Sequence, residues 1–435
     1  MRKLMSLIVV ASLSACSGGG SDVPQTGTAA CTNDGQKQFV LDNMNAWYLW
    51  NDLLPASVDI GDYASPEELL DFLTSFQPLD KFSFINSAAA DSQFFGEGKF
   101  EGFGFSSLFV ATDDLRLTRV FSGSPADMGG LGRGQKFLRL NDRTIADIQA
   151  NEGIGAVFDL QTLTFEMQRV DGSILTTTIT QDIVTIDPVP QWRVIDAGNG
   201  RNVGYMEFAT FISTATPKFE TVFAAFKAAG VNDVIIDLRY NGGGLVSTAE
   251  LMGDYLGGSI ARNLIFSQTE FNADRASANN SIELFEFIAD SLSLSRLIII
   301  ATQGTASASE LVTNGMIPHV EVTIVGDRTF GKPVGQIGLE FCEKILRPTS
   351  FRTSNAEGFG DFFAGLPVDC VAADDLTIAV GNDLDPNMIA AMTYLDTGAC
   401  PVSSLQGGQA KAASDLESLQ LDRRGPPHRE YLDAF

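Results

Sequence analysis

The sequence predicts an α+β protein of several domains, with a small helical N-terminal unit, a β-rich section and an α/β core. Three observations support this fold class. Apolar residues recur at helical spacing between residues 39 and 50, strand-like runs separated by glycine turns fill residues 99 to 180, and buried strands alternate with helices from residue 202 onwards. A chain of 435 residues has room for two or three such domains.

Composition narrows the class of protein. A hydrophobic content of 44% and a charged content of 19% are typical of a globular chain. The formal net charge of −25 argues against nucleic acid as a partner, because phosphate binding needs a basic surface. We expect an acidic, well-solvated surface.

The first sixteen residues predict export. Arg2 and Lys3 precede a short apolar run that ends in Leu-Ser-Ala-Cys, the pattern of a signal peptide, and the run is too short to span a bilayer. Leu-Ser-Ala-Cys also resembles the bacterial lipobox, which implies that Cys16 is lipidated and anchors the protein to the periplasmic face of a membrane. The resemblance favours the outer membrane, since Ser17 rather than aspartate follows. An ordinary signal peptide, with Cys16 incidental, is the alternative.

The remaining four cysteines predict disulfide bonds. In an oxidising compartment Cys31, Cys342, Cys370 and Cys400 allow three pairings, among which spacing does not choose. We expect at least one bridge near the C-terminal end of the core. Because there is no Cys-x-x-Cys pair or Cys/His cluster, we expect no metal site.

Composition and periodicity divide the rest of the chain. Residues 17–32 are small and polar, as in a flexible linker. Residues 33–96 form the helical unit, whose second helix begins with Ser65 as N-cap and Pro66 at the first helical position. Residues 97–185 form the β-rich domain and residues 186–404 the core, in which we expect a polar loop and a helix over 269–294. Residues 405–435 are predicted to be disordered.

A candidate nucleophile and a candidate base lie in one short segment of the core. A buried strand over 295–302 leads into Ser307, and a helical pattern follows, so Ser307 lies at a helix N-terminus where negative charge is stabilised. A second strand, over 320–325, leads through a glycine-flanked loop to Lys332. Histidine, the usual base, occurs only at His319 and His428, whereas burial among apolar neighbours would lower the pKa of Lys332 enough for it to accept a proton.

These segments resemble a known family. TASASELV around Ser307 and GDRTFGKPVGQ around Lys332 are similar to the active-site region of the S41 serine peptidases, the C-terminal processing or tail-specific proteases. The resemblance implies a crotonase-like or ClpP-like core with Ser307 as nucleophile, Lys332 as base 25 residues later, and Gln336 orienting the lysine. The second serine of the motif, Ser309, does not match the position of the nucleophile.

A second motif of the same family is DLRYNGGG, which aligns Asp237, Arg239 and Asn241. By this resemblance the N–H groups of Gly243 and Ala308 form the oxyanion hole, in which backbone donors face the developing charge. Because three glycines adjoin here, the N–H of Gly242 is the alternative to that of Gly243 as oxyanion donor.

The β-rich section resembles a circularly permuted PDZ domain, on the strength of GFGF, SPA and GRGQ followed by LRLND. A PDZ domain adds a peptide to a sheet edge and captures its C-terminal carboxylate on loop N–H groups. The resemblance implies that Gly102, Phe103, Gly104 and Phe105 form this substrate-binding loop.

The family resemblance implies a serine endopeptidase that needs no cofactor and acts on envelope proteins through their accessible C-terminal tails. One alternative is a catalytically inactive, peptide-binding lipoprotein. Another is a hydrolase of small esters or carbohydrates, which the absence of Gly-x-Ser-x-Gly around Ser307 disfavours. The sequence specifies neither an oligomeric state nor whether the PDZ domain inhibits or activates.

Overall fold

The computed structural model describes residues 30–401. The predicted signal peptide, Cys16, most of the predicted linker and all of the predicted tail lie outside these residues. Within residues 30–401, no helix combines the length and apolar character needed to cross a bilayer.

The N-terminal unit is helical, as predicted. Thr32 caps the first helix and Ser65 the second, each accepting a hydrogen bond from a backbone N–H three residues on, and Pro66 opens the second helix. The apolar residues at helical spacing between residues 39 and 50 contribute to a hydrophobic core, since Phe39, Trp47 and neighbouring apolar side chains are buried. The elements are α1 (Asn33–Trp47), α2 (Pro66–Thr74), β1 (Phe84–Ser87) and α3 (Ala88–Ser92), with 3-10 turns Asn51–Leu53 and Ile60–Asp62 and a π-helical turn Gln93–Glu97.

The N-terminal unit shares its hydrophobic core with the distant part of the chain. β1 pairs antiparallel with Lys344–Arg347, and the helices pack on Leu339, Phe341 and Leu346. A disulfide joins Cys31 to Cys342, which lies 311 residues later. Residues 30–92 therefore cover one side of the core instead of forming a separate body, and the boundary at residue 96 remains a prediction.

The β-rich section forms a sheet of its own. β3 lies at one edge, in the order β3-β4-β5-β7-β8, with β6 on β5, while β2 and β9 form a separate ribbon. The elements are β2 (Lys99–Gly102), β3 (Phe105–Ala111), β4 (Asp114–Val120), α4 (Pro125–Met128), β5 (Lys136–Leu140), β6 (Arg143–Thr144), α5 (Ile145–Asn151), α6 (Ile154–Phe158), β7 (Thr162–Gln168), β8 (Ile174–Thr180) and β9 (Asp182–Thr185). An edge strand such as β3 can take up an additional strand.

The α/β core is built on a six-stranded sheet in the order β10-β11-β12-β15-β16-β21. All neighbours from β11 onward are parallel, and β10 runs antiparallel to β11. The elements are β10 (Gln191–Asp196), β11 (Asn202–Glu207), α7 (Thr216–Ala228), β12 (Asp233–Asp237), α8 (Val246–Gly257), β13 (Ile265–Phe271), α9 (Ala276–Asn279), β14 (Ser281–Leu284), β15 (Arg296–Ala301), α10 (Ala308–Met316), β16 (Glu321–Gly326), β17 (Val334–Gln336), β18 (Leu339–Phe341), β19 (Lys344–Arg347), β20 (Thr349–Ser354), β21 (Cys370–Val371) and α11 (Pro386–Thr397), with a 3-10 turn Ser213–Ala215.

Three neighbouring parallel strands bring the sequence motifs together. β12 ends at the glycine motif, β15 leads into Ser307, and β16 leads into the loop that bears Lys332. Because parallel strands have their carboxyl ends at one edge of the sheet, all three loops meet there. This order confirms the predicted strand, turn and helix around Ser307.

The structure tests two further expectations about the core, the segment 269–294 and the C-terminal disulfide. The polar loop and helix expected over 269–294 were wrong: β13 and β14 form an antiparallel hairpin, and the helix α9 has a single turn. Ser281–Leu284 does alternate polar and apolar residues, but only over four residues, the shortest run that indicates a strand, and both apolar side chains, Ile282 and Leu284, are exposed. The expected C-terminal bridge is Cys370–Cys400, which leaves Cys31 to pair with Cys342.

Candidate active site

Ser307 holds a strained backbone position at the start of α10. Its φ of 55° is unusual for a residue with a side chain, and with a ψ of −115° it lies outside the regular helical and extended regions. Such a conformation costs on the order of 1–3 kcal/mol and is found where the surroundings enforce it. The Ser307 N–H donates to Glu310 Oε2 at 2.9 Å, and its carbonyl accepts from the Leu311 N–H at 2.8 Å.

Lys332 is buried and has one neutral hydrogen-bond acceptor. Its Nζ donates to Gln336 Oε1 at 2.8 Å and lies 5.3 Å from the centre of the Phe82 ring. Burial lowers the pKa of Lys332 to about 8, an effect that Arg347 reinforces and the carboxylates of Asp80 and Glu310 oppose. A lysine with this pKa is neutral in a useful fraction of molecules near neutral pH.

The orientation of Gln336 is fixed by its amide nitrogen. Nε2 donates to the carbonyl of Phe82 at 2.6 Å and to that of Arg347 at 2.9 Å. Since both bonds require the NH2 group, Oε1 must face Lys332. The first of these carbonyls belongs to the N-terminal unit, which therefore takes part in positioning the lysine.

Glu310 joins the two candidate catalytic residues through their backbones. Its carboxylate is completely buried, and Oε2 accepts the N–H of Ser307 at 2.9 Å and that of Lys332 at 2.8 Å. The two backbone nitrogens are therefore at most 5.7 Å apart, the sum of 2.9 Å and 2.8 Å. Oε1 accepts the Thr329 hydroxyl at 2.5 Å and the Gly331 N–H at 2.7 Å. Burial raises the pKa of Glu310 to about 6, although these four donors favour the charged form.

Ser307 and Lys332 are close in space but not paired through their side chains. Among residues 30–401, no hydrogen bond joins Ser307 Oγ to Lys332 Nζ. Proton transfer requires such a contact, and catalytic hydrogen bonds are often long in ligand-free sites and tighten when substrate binds.

Gly243 lies against the serine, but its N–H is engaged. A β-carbon added to Gly243 would come within 2.8 Å of Ser307 Cβ and of the Ala308 nitrogen, and the φ of +99° also favours glycine. However, the Gly243 N–H donates to Asn241 Oδ1 at 2.9 Å. The expected oxyanion donor is thus not free in this conformation, and the choice between Gly242 and Gly243 stays a prediction, as does the role of Ala308 at the first position of α10.

Asn241 ties the glycine motif to the serine loop. Its side chain donates to the Phe208 carbonyl at 2.8 Å, and its own carbonyl accepts the Ser309 hydroxyl at 2.9 Å and the Ala306 N–H at 3.1 Å. Ser309 is completely buried, and its hydroxyl anchors this loop to Asn241.

Arg239 of the same motif holds the end of β12 in place. It is buried and donates to three carboxylates, those of Asp237, Asp374 and Asp385, at 2.6 to 3.0 Å. Asp374 also accepts from Arg133 of the β-rich section at 2.5 Å. The β-rich section is therefore bound to the core beside the glycine motif.

The predicted peptide-binding loop has its aromatic side chains inside the β-rich section. Phe103 and Phe105 are buried in that core, so only the backbone of this loop can contact a ligand. The Gly104 carbonyl accepts from the Phe121 N–H and the Ser124 hydroxyl, and an added β-carbon at Gly104 would lie 2.2 Å from Ser124 Cβ. Its role in binding stays a prediction.

Sequence reasoning missed Glu310 and the contribution of the N-terminal unit. Glu310 follows Ser307 by three residues, which is the capping-box spacing and could have marked it as a partner of the Ser307 N–H. Phe82 and Asp80 gave no local signal. Within residues 30–401, no group of three or more histidine, cysteine or acidic side chains is arranged to hold a metal ion.

Comparison with known proteins identifies relatives of both the core and the N-terminal unit. The profile of peptidase family S41 matches residues 202–359, and that of the peptidase S41 N-terminal domain matches residues 35–84. The carboxyl-terminal-processing protease of Picosynechococcus sp. is 25% identical over 225 residues, which cover 51% of this chain and 51% of that protein. The carboxy-terminal processing protease CtpA of Bacillus subtilis is 21% identical and covers 56% of this chain and 49% of that protein. The chain thus spans about half the length of these relatives.

Solved structures share the fold. A putative S41 protease from Bacteroides fragilis superposes with a TM-score of 0.67 at 23% identity, covering 82% of this chain and 97% of that one. The photosystem II D1 C-terminal processing protease superposes with a TM-score of 0.55 at 18% identity, covering 86% of this chain and 99% of that one.

Proposed function

Because the chain belongs to peptidase family S41, we propose that it is a serine endopeptidase in which Ser307 is the nucleophile and Lys332 the general base. Neutral Lys332 removes the proton of the Ser307 hydroxyl as Oγ attacks the scissile carbonyl. The protonated lysine then supplies a proton to the leaving amine. Water, activated by the same lysine, hydrolyses the acyl-enzyme and frees Ser307.

The observation that supports this proposal most is the shared contact of Ser307 and Lys332 with Glu310. A buried carboxylate that accepts both backbone N–H groups fixes the nucleophile and the base at a short separation. Lys332 has the lowered pKa that a base needs, and Gln336 holds its amine. No histidine is needed, and the imidazole of His319 is hydrogen-bonded to the Ile265 carbonyl on strand β13.

Substrate binding would complete the site. The oxyanion needs backbone donors, and we assign them to Ala308 and to Gly243 or Gly242. If Gly243 is the donor, its N–H must exchange Asn241 Oδ1 for the substrate oxygen. The Ser307 side chain must also turn toward Lys332.

The β-rich section would present the substrate. We propose that it is a PDZ domain, that its edge strand β3 and the loop Gly102–Phe105 capture the C-terminal tail of a protein, and that the substrates are envelope proteins. Its contact with Arg239 through Asp374 offers a physical link to the glycine motif. We further propose export and lipidation at Cys16.

The proposal is tested with the mature protein and three variants: Ser307→Ala, Lys332→Ala and, as a matched control, Lys218→Ala. Lys218 lies half-exposed on α7, paired with Asp187. Protein substrates with unfolded C-terminal tails are incubated with each, and intact mass spectrometry identifies the fragments. We expect cleavage by the wild type and Lys218→Ala only.

Hydrolysis by Ser307→Ala at the wild-type rate would exclude Ser307 as nucleophile. If no form cleaves but all bind tail peptides, the inactive peptide-binding alternative replaces the proposal.

A further inference from the structure

Arg347, on strand β19, lies between the N-terminal unit and the proposed base. Its main-chain carbonyl accepts from the Gln336 amide nitrogen at 2.9 Å, and the oxygen of the same amide accepts from the Lys332 amine at 2.8 Å. A single amide group therefore separates the Arg347 carbonyl from the amine of Lys332. The sequence analysis assigned no role to Arg347.

The guanidinium of Arg347 is held by the N-terminal unit. Its Nε and Nη2 each donate to one carboxylate oxygen of Asp91, both at 2.6 Å. Two parallel hydrogen bonds of this kind fix the orientation of a guanidinium as well as its position. The ring of Phe95 adds a third contact, with its centre 5.0 Å from the guanidinium carbon. Asp91 belongs to α3 and Phe95 to the π-helical turn that follows, so one short segment supplies all three contacts.

The pair of Arg347 and Asp91 is buried, with only 18% and 8% of the two side chains exposed. Removing one partner of a buried pair leaves the other charge without compensation, so neither residue keeps its position alone. The pair of Arg352 and Glu270, which involves the next strand along the chain, is by contrast well exposed. It offers a matched control, because a surface pair of this kind contributes little.

The positive charge of Arg347 acts on the proposed base. Burial is the main cause of the lowered pKa of Lys332, and the Arg347 cation lowers this pKa further. The carboxylates of Asp80, which precedes β1, and of Glu310, on α10, act in the opposite direction. Of these three charged groups, only Arg347 favours the neutral amine, which is the form that accepts a proton.

We propose that Arg347 is a positioning residue for the proposed base: Asp91 fixes its guanidinium, its carbonyl orients Gln336, and its positive charge favours neutral Lys332. Arg347 acts on the reaction through these two residues. A neutral side chain at this position would keep the carbonyl but lose both the anchor on Asp91 and the charge. The inference rests on the proposed function, because it concerns the same base.

The test uses the mature protein with the double substitution Asp91→Asn/Arg347→Met, which removes both charges and leaves neither buried without a partner. The control is Glu270→Gln/Arg352→Met, the same change at the exposed pair. Peptide hydrolysis is measured between about pH 6 and pH 10, the range in which Lys332 titrates. The pKa of Lys332 is measured directly by NMR titration of protein labelled with 13C at the lysine ε-carbons, and Lys332→Ala assigns the signal.

In the double variant we expect the pKa of Lys332 to rise from about 8 to about 9. Fewer lysines are then neutral at pH 7, so kcat at this pH should fall by about tenfold or more. At pH 10 nearly all are neutral in both proteins, and the ratio of wild-type to variant kcat should be about tenfold smaller than at pH 7. A general loss of structure would instead lower kcat equally at every pH. An unmoved pKa of Lys332, or a ratio that stays constant from pH 7 to pH 10, would overturn the proposal.

The single substitutions test the part assigned to Asp91. If Asp91 acts through Arg347, Asp91→Asn should lower kcat at pH 7 by about tenfold in the wild type and should not lower it further once Arg347→Met is present. Equal losses in the two backgrounds would contradict this part of the proposal.

Failure of the proposed function is separable from failure of this inference. A wild type that hydrolyses no peptide at any pH contradicts the proposed function. The NMR titration needs no turnover, so it still decides the inference: a higher pKa of Lys332 in the double variant than in the wild type and the control supports it, and equal pKa values overturn it.

Discussion

Replacing Glu310 by glutamine tests whether one buried carboxylate fixes the positions of the proposed nucleophile and base relative to each other. Four donors point at its two oxygens, and the two on Oε2 are the N–H groups of Ser307 and Lys332. Burial raises the pKa of Glu310 to about 6, so roughly nine-tenths of the molecules carry the charge at pH 7. In glutamine one of the two oxygens becomes an NH2 group, which cannot accept a hydrogen bond.

The expected losses of stability and of activity follow from the hydrogen bonds that Glu310→Gln removes. The amide nitrogen is best placed toward Thr329, whose hydroxyl can rotate to accept, and this leaves the buried Gly331 N–H without a partner. An unpaired buried donor costs about 1–3 kcal/mol of folding stability. A shift of about 1 Å between Ser307 and Lys332 lowers the rate by on the order of 100-fold. The lost charge also removes an interaction that raises the pKa of Lys332, so the pH at which activity is half-maximal should fall.

The assay combines urea denaturation with kcat/KM measured across the pH range in which Lys332 titrates. Glu340→Gln is the matched control, because it makes the same substitution at an exposed position of β18. We expect Glu310→Gln to lose about 2 kcal/mol of stability, to hydrolyse peptides at most a hundredth as fast and to reach half-maximal activity at lower pH. A variant with wild-type kcat/KM and an unmoved pH midpoint would refute the reasoning, even if its stability fell.

Three further results are expected. Hydrolysis should rise about tenfold between pH 7 and pH 9, because burial lowers the pKa of Lys332 to about 8 and only the neutral amine accepts a proton; a flat profile over that range would contradict this. Gln336→Leu removes the acceptor of the lysine amine and should lower kcat by about tenfold or more while leaving KM unchanged; an unaltered kcat would count against its orienting role. Replacing Cys370 and Cys400 by serine opens a loop of 30 residues and should cost about 3.5 kcal/mol in urea unfolding, so equal stabilities would show that the bridge is dispensable.

Local patterns were sufficient to predict the central part of the core. The continuously apolar run before Ser307 reads as a buried strand, and the structure has β15 there, with every residue after Arg296 buried. Parallel order then follows from strand, helix and strand in sequence. The loops that follow β15 and β16 bring Ser307 and Lys332 to one edge of the sheet, and Gln336 follows at the end of β17.

Contacts between distant segments could not be predicted in this way. The bond from Gln336 to the Phe82 carbonyl spans 254 residues, and the Cys31–Cys342 disulfide spans 311. Nothing in the local sequence around Phe82 or Cys31 indicates these partners. The hairpin of β13 and β14 was missed for a different reason, since the alternating pattern of β14 extends over only four residues, too short to distinguish a strand from a loop.

The N-terminal unit belongs to the proposed active site because it creates the environment of the base. Phe82 covers the amine of Lys332 and holds Gln336, and its loop is fixed by Asp80 through the Thr349 hydroxyl. At a pKa of about 8, roughly a tenth of the lysines are neutral at pH 7, whereas at the ordinary pKa of 10.5 only about 0.03% would be. The lowered pKa therefore increases the population of neutral base at pH 7 by roughly 300-fold. Phe82 contributes to the burial that lowers it, which makes catalysis by the core depend in part on residues some 250 positions away in the sequence.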